Sequence, residues 1–317
     1  MRSIFLFTFF LSLVITGTKA HTVDLTSLPL RDGDVSSTPR VGSVFACQAR
    51  FNPNAPGARR SGDWLNATAG TFDLTRKPTV DGHIVHVSEL EIAVAGAHRQ
   101  ITGNALPDHA TGQFPVARSD DAFYYDRNPN RIQAHRFNAA LPLFPIVADR
   151  PSCVPMGAIG IMLTGAVLFN ALDARGENAL AHEILDVCQG HPQRSGLYHY
   201  HGKSPCQDDP ASTGEHSTLI GYAFDGFGIY GYHGERGAVL SSADLDVCHG
   251  HVGAVMIDGQ SQTTYHYHTT PDYPYTVSCF RGKPVSVAAL AERVGPSLRG
   301  GQGRTGRSDR PSPRRPW

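Results

Sequence analysis

Short apolar runs separated by turn-forming residues fill the chain from residue 21 to residue 150. Within this part, residues 83–87 and 90–94 have the apolar, partly alternating pattern of β-strands. Asp81-Gly82 and Gly103-Asn104 are turn signals close to these runs. The pattern therefore predicts a β-rich portion over residues 21–150, with connections too short for long helices.

Residues 151–285 carry the same series of landmarks twice, in the same order. Each copy begins with an apolar segment that contains two glycines, continues with Leu-Asp-Val-Cys-x-Gly-His, and reaches a Tyr-His-Tyr-His tetrad followed by a cysteine. Because the order of all these landmarks is kept, the sequence indicates an internal duplication. The matching segments are 159–169 and 220–230, 185–191 and 245–251, and 198–201 and 265–268, with Cys206 and Cys279 as the closing cysteines.

The sequence of each copy predicts its secondary structure. Thr164-Gly165 and Asp225-Gly226 lie between apolar strands, which predicts a hairpin at the start of each copy. Helix-forming residues over 177–187 predict a short helix in the first copy, and 242–247 predicts a weaker helical turn in the second. Each tetrad is predicted to be a strand. The expected fold class is mostly β (α+β), with a β-rich N-terminal portion followed by the duplicated hairpin, short-helix and tetrad-strand unit.

The tetrad itself suggests chemistry. Successive side chains of a strand point to opposite faces, so both histidines of one tetrad face one side and both tyrosines the other. Two imidazoles about 6.5–7 Å apart along a strand can converge on one metal ion. We therefore expect His199, His201, His266 and His268 to meet in one shared metal centre. His191 and His251 follow a glycine at matching positions and are additional candidate ligands.

A structural interpretation competes with the metal site, because buried histidines are often hydrogen-bonded core residues. Several uncoordinated histidines packed together would repel when protonated and lose solvation when buried, whereas a bound cation requires neutral imidazoles. The metal interpretation is therefore preferred, with copper or zinc as the expected ion since imidazole suits both. It leaves open a metal-dependent redox or hydrolytic enzyme, a metal-storage protein without catalysis, and a carbohydrate- or surface-binding module with a His/Tyr layer. The substrate is not indicated.

The N-terminus and the cysteines both predict export. Arg2, the apolar run 4–15 and the small residues before position 21 form a signal peptide over residues 1–20, and no later stretch is apolar enough for stable membrane insertion. A secreted or periplasmic location allows the six cysteines to form three disulfides. The cysteines that flank each tetrad predict three pairs, Cys188–Cys206, Cys248–Cys279 and Cys47–Cys153.

The overall charge limits the classes of partner that the protein is expected to bind. The chain has 28 basic and 28 acidic residues, which gives no general attraction to nucleic acid. Residues 286–317 are rich in Gly, Pro, Ser and Arg toward the end, and this composition predicts a basic disordered tail. The expected partner is therefore a metal ion rather than nucleic acid or a membrane.

These motifs together resemble the YHYH-domain family of exported proteins. The resemblance rests on the two Gly-His and Tyr-His-Tyr-His combinations, on segments 169–176 and 220–231, and on the upstream segments 77–82 and 103–109. It covers roughly residues 60–282. The resemblance implies a domain type and an exported location but no settled reaction. It also adds His109 to the candidate metal ligands.

Overall fold

A computed structural model describes residues 23–48, 50–58, 60–209, 214–288 and 290. The expected signal peptide and most of the expected basic tail lie outside these residues. Within the described part of the chain, no helix has the length and apolar character needed to cross a membrane. The architecture is mostly β, in agreement with the expected fold class.

The largest element is an eight-stranded sheet that holds the whole tetrad region. Its eight strands are β9 Ala158–Met162, β10 Val167–Phe169, β11 Gly190–Pro192, β12 Tyr198–Tyr200, β13 Leu219–Ala223, β14 Gly228–Tyr230, β15 Gly250–Ile257 and β16 Gln260–His268. They lie in the order β11-β12-β10-β9-β13-β14-β16-β15. The first hairpin strand of one half, β9, pairs with that of the other half, β13, at the centre, so the tetrad strands lie toward the two outer ends.

The two halves of this sheet have the same pairing and register. In each half the hairpin is antiparallel, its second strand pairs in parallel with the tetrad strand, and the tetrad strand pairs antiparallel with the strand before it. The parallel partners include Leu168 with Tyr200 and Ile229 with Tyr267. The two halves also meet antiparallel through β9 and β13 at the centre.

The predicted hairpins are present as β9–β10 and β13–β14. Gly165 and Gly226 stand at their turns with φ of 92° and 93°. This left-handed region is accessible to glycine without a steric penalty. At both positions an added Cβ would also meet neighbouring backbone within 3 Å, at Leu106 and Pro142 respectively. Glycine is therefore required at both turns by conformation and by space.

Helices are shorter than the sequence suggested. The expected helix over 177–187 is present only as α1, Ala179–His182, because the backbone of Glu183 is already extended. Asn178 caps its start by accepting hydrogen bonds from two backbone N–H groups. The helical turn expected over 242–247 is a 3₁₀ helix, Ser242–Asp244, whose capping residue is Ser241. Two further 3₁₀ helices span Asp121–Tyr124 and Glu235–Gly237.

Smaller sheets make up the N-terminal portion and cover the large sheet. Residues 91–95 form a strand close to the predicted run 90–94, but the run 83–87 does not form one. Ile84 makes only an isolated bridge with Thr111, and Val85 and Val87 are exposed. The described strands here are β1 Leu28–Pro29, β2 Val35–Ser36, β3 Val44–Phe45, β4 Leu65–Asn66, β5 Thr71–Phe72, β6 Glu91–Ala95, β7 His98–Gly103 and β8 Phe137–Pro142.

Three disulfides join the pairs predicted from the sequence. Cys188 bonds to Cys206, Cys248 to Cys279, and Cys47 to Cys153. The first two each close a loop around one tetrad, and the third ties the N-terminal portion to the start of the large sheet. Because the main core also runs from Val44 through the tetrad tyrosines to Leu290, both portions share one apolar interior.

Candidate metal centres

Three histidines and one carboxylate converge at the β11–β12 end of the sheet. The Nε2 atom of His199 lies 3.1 Å from Nε2 of His191 and 3.2 Å from Nε2 of His201. Glu183 completes the group, with Oε2 2.9 Å from His191 Nε2 and 3.2 Å from His201 Nε2. All four residues are at most 8% exposed. We call this group the first centre.

The other ring nitrogens determine which way the lone pairs of these histidines point. Nδ1 of His199 donates to the carbonyl of Leu197 at 3.1 Å, and Nδ1 of His201 donates to the carbonyl of Asn170 at 2.6 Å. A carbonyl can only accept, so both rings carry a proton on Nδ1 and turn Nε2 toward the same point. Oε2 of Glu183 is buried there too and is within hydrogen-bond distance of Nε2 of His191 and of His201.

Burial and mutual proximity control the protonation of this group. Burial lowers the pKa of His199 well below its usual value, and the neighbouring His191 and His201 lower it further. Burial alone would raise the pKa of the Glu183 carboxyl, but His191 and His201 outweigh it and hold that pKa well below normal. His199 is therefore held neutral and Glu183 ionised, whereas Glu183 raises the pKa of His191 despite its burial. A metal ion bound here would displace the proton that His191 shares with Glu183.

A second group lies at the opposite end of the sheet, where β15 and β16 pair. The Nε2 atom of His266 lies 3.0 Å from that of His251, 3.1 Å from that of His268 and 3.2 Å from that of His216. These four nitrogens all lie within 4.8 Å of one another. We call this group the second centre.

Backbone carbonyls orient this group as well. Nδ1 of His266 donates to the carbonyl of Thr264 at 3.2 Å, and Nδ1 of His268 donates to the carbonyl of Gly231 at 2.7 Å. Nδ1 of His216 donates to the carbonyl of Ser217 at 2.8 Å. Burial, reinforced by His251, lowers the pKa of His266 to about 3. Burial also lowers the pKa of His268 well below its usual value. The second centre therefore presents unprotonated nitrogens too.

A loop with the same hydrogen bonds delivers one histidine to each centre. Asp186 accepts from the backbone N–H of Cys188 and Gly190, at 3.0 and 3.1 Å. Asp246 accepts from the corresponding N–H groups of Cys248 and Gly250 at 2.8 and 3.2 Å. The residue before each glycine, Gln189 or His249, has positive φ. These loops place His191 and His251 directly opposite the tetrad strand, in register with His199 and His266.

The tetrad tyrosines lie on the other face of the sheet, as the alternation predicted. Their hydroxyls bond to buried or half-buried polar groups: Tyr198 to Asp186, Tyr265 to Asp246, Tyr267 to Asp225 and Tyr200 to Thr164. All four rings are at most 4% exposed. A stacking face for carbohydrate, one of the expected alternatives, cannot be formed by side chains buried to this extent.

The expectation of one shared centre is wrong. Strands β10, β9, β13 and β14 separate the two tetrad strands, which places them five strand spacings, or about 24 Å, apart. His191, His199 and His201 meet at one end, and His251, His266 and His268 at the other. The duplicated hairpins pair with each other in the centre, so the tetrads cannot.

His109 does not join either centre. It lies on the tyrosine face, where its Nε2 contacts the hydroxyl of Tyr200 and its Nδ1 contacts the carbonyl of Ala110. The nearby sulfur atoms of Cys188 and Cys206 are joined in a disulfide and are not thiolates. His249, which had no counterpart in the first copy, is buried against Thr270 outside the second centre.

The sequence did not single out the fourth member of either group. Glu183 aligns with Ala243 in the second copy, and His216 aligns with Pro155 in the first, so comparison of the copies finds neither. Glu183 reaches the first centre because α1 ends at the residue before it. His216 reaches the second centre from the segment that precedes β13. The neighbouring His182 is the one sequence signal for Glu183, and a single His-Glu pair is weak; no signal in the sequence indicated His216.

Comparison with known proteins supports the resemblance seen in the sequence. Residues 138–239 match the YHYH family, described as YHYH protein. The match includes the first tetrad, Glu183, His216 and Glu235, and ends before the second tetrad. No curated protein and no solved structure matches the chain. Over residues 138–239 the chain is therefore similar to the YHYH family.

Proposed function

We propose that this is an exported transition-metal-binding protein with two separate centres, one in each half of the large sheet. The equal register of the two halves supports an internal duplication in which each copy keeps its own metal site. Three disulfides fit the oxidising environment of an exported protein. The centres thus replace the single shared site expected from the sequence.

One observation carries the proposal: three imidazole nitrogens meet at one point in the first centre. His191, His199 and His201 bring ligand atoms within 4.8 Å of one another, and Nε2 of His199 lies 3.1 and 3.2 Å from Nε2 of the other two. Two nitrogens this far apart, each bound at about 2.0–2.1 Å to a shared ion, make an angle of about 100° at the ion, close to the tetrahedral value of zinc sites.

Without an ion, the same arrangement is unfavourable. The Nε2 lone pairs of His199 and His201 face each other 3.2 Å apart. Buried polar atoms without partners typically cost about 1–3 kcal/mol each. A structural His/Tyr layer would leave these costs in place, whereas a cation removes them. The contacts therefore favour metal binding over the structural interpretation.

The donor atoms favour zinc or copper. Imidazole binds both ions well, and a carboxylate beside three imidazoles suits zinc in particular. The second centre offers four imidazoles, a donor set that suits divalent copper as well as zinc. The six cysteines are all in disulfides, so no thiolate directs either centre toward monovalent copper.

Metal stoichiometry tests the proposal. Purified protein, stripped with chelator and reloaded with zinc or copper, should hold two ions per chain by elemental analysis. The double variants His199→Ala/His201→Ala and His266→Ala/His268→Ala should each retain one. Failure of the wild type to bind either ion at neutral pH would overturn the proposal, and complete loss in either double variant would restore the shared centre. Circular dichroism of each variant establishes that loss of metal is not loss of folding.

A further inference from the structure

The two centres differ in their access to solvent. Each ligand residue of the first centre is at most 8% exposed. In the second centre His266 and His268 are fully buried, but the side chain of His251 is 23% exposed. His251 stands on β15, which is the edge strand of the sheet. One side of the second centre therefore reaches the surface, and no side of the first does to the same degree.

A carboxylate lies near each centre, at different distances. Glu183 Oε2 lies 2.9 Å from His191 Nε2, a spacing that two ligands of the same ion adopt. Glu235 Oε1 lies 3.9 Å from His251 Nε2, and its side chain is half exposed. Ligands bound at about 2.1 Å and at adjacent positions lie about 3.0–3.4 Å apart, so Glu235 lies one step beyond direct coordination.

Gly253 allows the carboxylate of Glu235 to lie beside the second centre. This glycine is two residues after His251 on β15, and a Cβ at this position would lie 2.4 Å from Glu235 Oε1 and 3.2 Å from His266 Cε1. A side chain here would therefore push the carboxylate away from the side of the centre that His266 occupies. A water molecule or small anion on the ion could occupy this side and be contacted by Glu235.

We propose that the second centre has an accessible coordination position beside His251 and Glu235, which takes water or a small anion as an additional ligand. The first centre is closed by Glu183 and takes no such ligand. Zinc and copper sites with imidazole ligands can add a further ligand in this way, and an exchangeable position is what distinguishes catalytic from structural centres. The inference rests on metal binding at both centres, as proposed above.

Azide and cobalt provide the test. Protein loaded with two cobalt ions per chain should change its visible absorption when azide is added, and calorimetry should show one azide bound per two cobalt ions. The response should persist in His199→Ala/His201→Ala and disappear in His266→Ala/His268→Ala. If a double variant does not fold, the number of azide ions bound per two cobalt ions in the wild type alone tests whether only one centre is open.

Glu235 and Glu183 form a matched pair of variants. Glu235→Gln should keep both cobalt ions and bind azide about three- to fivefold more tightly, because a negative charge near the anion is removed. Glu183→Gln should instead weaken cobalt binding at the first centre. Two azide ions per chain, no azide response, or loss of cobalt in Glu235→Gln would each overturn the inference. Failure to take up cobalt at all would overturn the proposed function instead.

Discussion

The hydroxyl of Tyr198 donates a hydrogen bond to the carboxylate of Asp186, with its oxygen 2.9 Å from Oδ2 and 3.0 Å from Oδ1. The same carboxylate holds the loop that leads to His191, whereas Tyr198 precedes His199 on the tetrad strand. This one contact on the tyrosine face therefore links the two elements that carry ligands on the histidine face. Tyr265 and Asp246 repeat the arrangement in the other half.

Tyr198→Phe should lower the free energy of unfolding by about 1.5–3 kcal/mol, the usual contribution of a hydrogen bond to a charged group. Tyr265→Phe should cost less, because the Asp246 side chain is 33% exposed and water can replace the lost donor. Urea denaturation of both variants with bound metal measures the difference. An equal or larger loss in Tyr265→Phe would contradict the role assigned to burial at Asp186.

Local features of the duplicated region followed from the sequence because they depend on neighbouring residues. Thr164-Gly165 and Asp225-Gly226 specify their hairpins through glycine, and the strand period places the tetrad histidines and tyrosines on opposite faces. The cysteine pairs followed from their positions around each tetrad. The predicted strand 83–87 failed for the opposite reason: its apolar residues have no neighbouring strand, and only Ile84 makes a bridge.

The position of the centres could not be predicted in the same way. Strand order depends on which edges meet, and pairing of β9 with β13 sends the tetrads outward. Nothing in the tetrads specifies that choice. The fourth members, Glu183 and His216, come from segments that differ between the copies, so their roles depend on tertiary structure alone.

Two histidines near the centres provide internal controls. His109 and His249 are both close in sequence or space to a proposed ligand, yet His109 contacts Tyr200 and Ala110, and His249 contacts Thr270. His109→Gln and His249→Gln should therefore each retain two metal ions per chain, with a modest loss of stability. Elemental analysis checks this expectation. Loss of one ion from either variant would place that histidine in a centre and require a different ligand set.

The disulfides should contribute in the order of the loops they close. The sequence separations are 106 for Cys47–Cys153, 31 for Cys248–Cys279 and 18 for Cys188–Cys206. Loop entropy gives about 5, 4 and 3 kcal/mol for their contributions in that order. Paired Cys→Ala variants, compared by urea denaturation of the metal-free protein, test the ranking. The reverse order would show that lost packing around the buried sulfur atoms, not chain entropy, dominates.

Bound metal should raise the melting temperature, and each centre should contribute to the rise. An ion present at a hundred times its dissociation constant stabilises a site by about 2.7 kcal/mol, which corresponds to about 4 °C for a chain of this size. Scanning calorimetry with zinc, and after chelation, measures the shift. The variants His199→Ala/His201→Ala and His266→Ala/His268→Ala should each keep part of it. A shift abolished by one double variant and untouched by the other would mean that only one centre binds zinc.

Acid should destabilise the metal-free protein, beginning well above the range in which ordinary carboxylates titrate. Burial, with neighbouring histidines, keeps the pKa of His199 and His268 well below 6.5 and that of His266 at about 3. An unfolded histidine has a pKa of about 6.5, so between these values the unfolded chain binds protons that the folded chain does not. The free energy of unfolding therefore falls as pH drops through 6.5 toward 3.

Two other groups modify this profile. The pKa of Glu183 is held below its usual value, so its contribution is also lost as pH falls, but only below about 4.5. Burial lowers the pKa of His191, but Glu183 raises it by more, so His191 adds stability that is lost as pH rises through its folded pKa. His191 thus offsets part of the acid effect without reversing it, because the lowered histidines are more numerous.

Urea denaturation in chelator at several pH values between 7.5 and 4.5 measures this dependence. Stability should decline continuously below about pH 6.5, with His266 alone worth on the order of 4 kcal/mol if the full range is reached. His266→Asn/His268→Asn should give a flatter profile, since the second centre then has fewer imidazoles to protonate. Metal should make the decline steeper, because protons and the ion compete for the same nitrogens. A metal-free protein equally stable at pH 7 and pH 5 would show that the facing imidazoles are solvated, and that neither group is a preformed site.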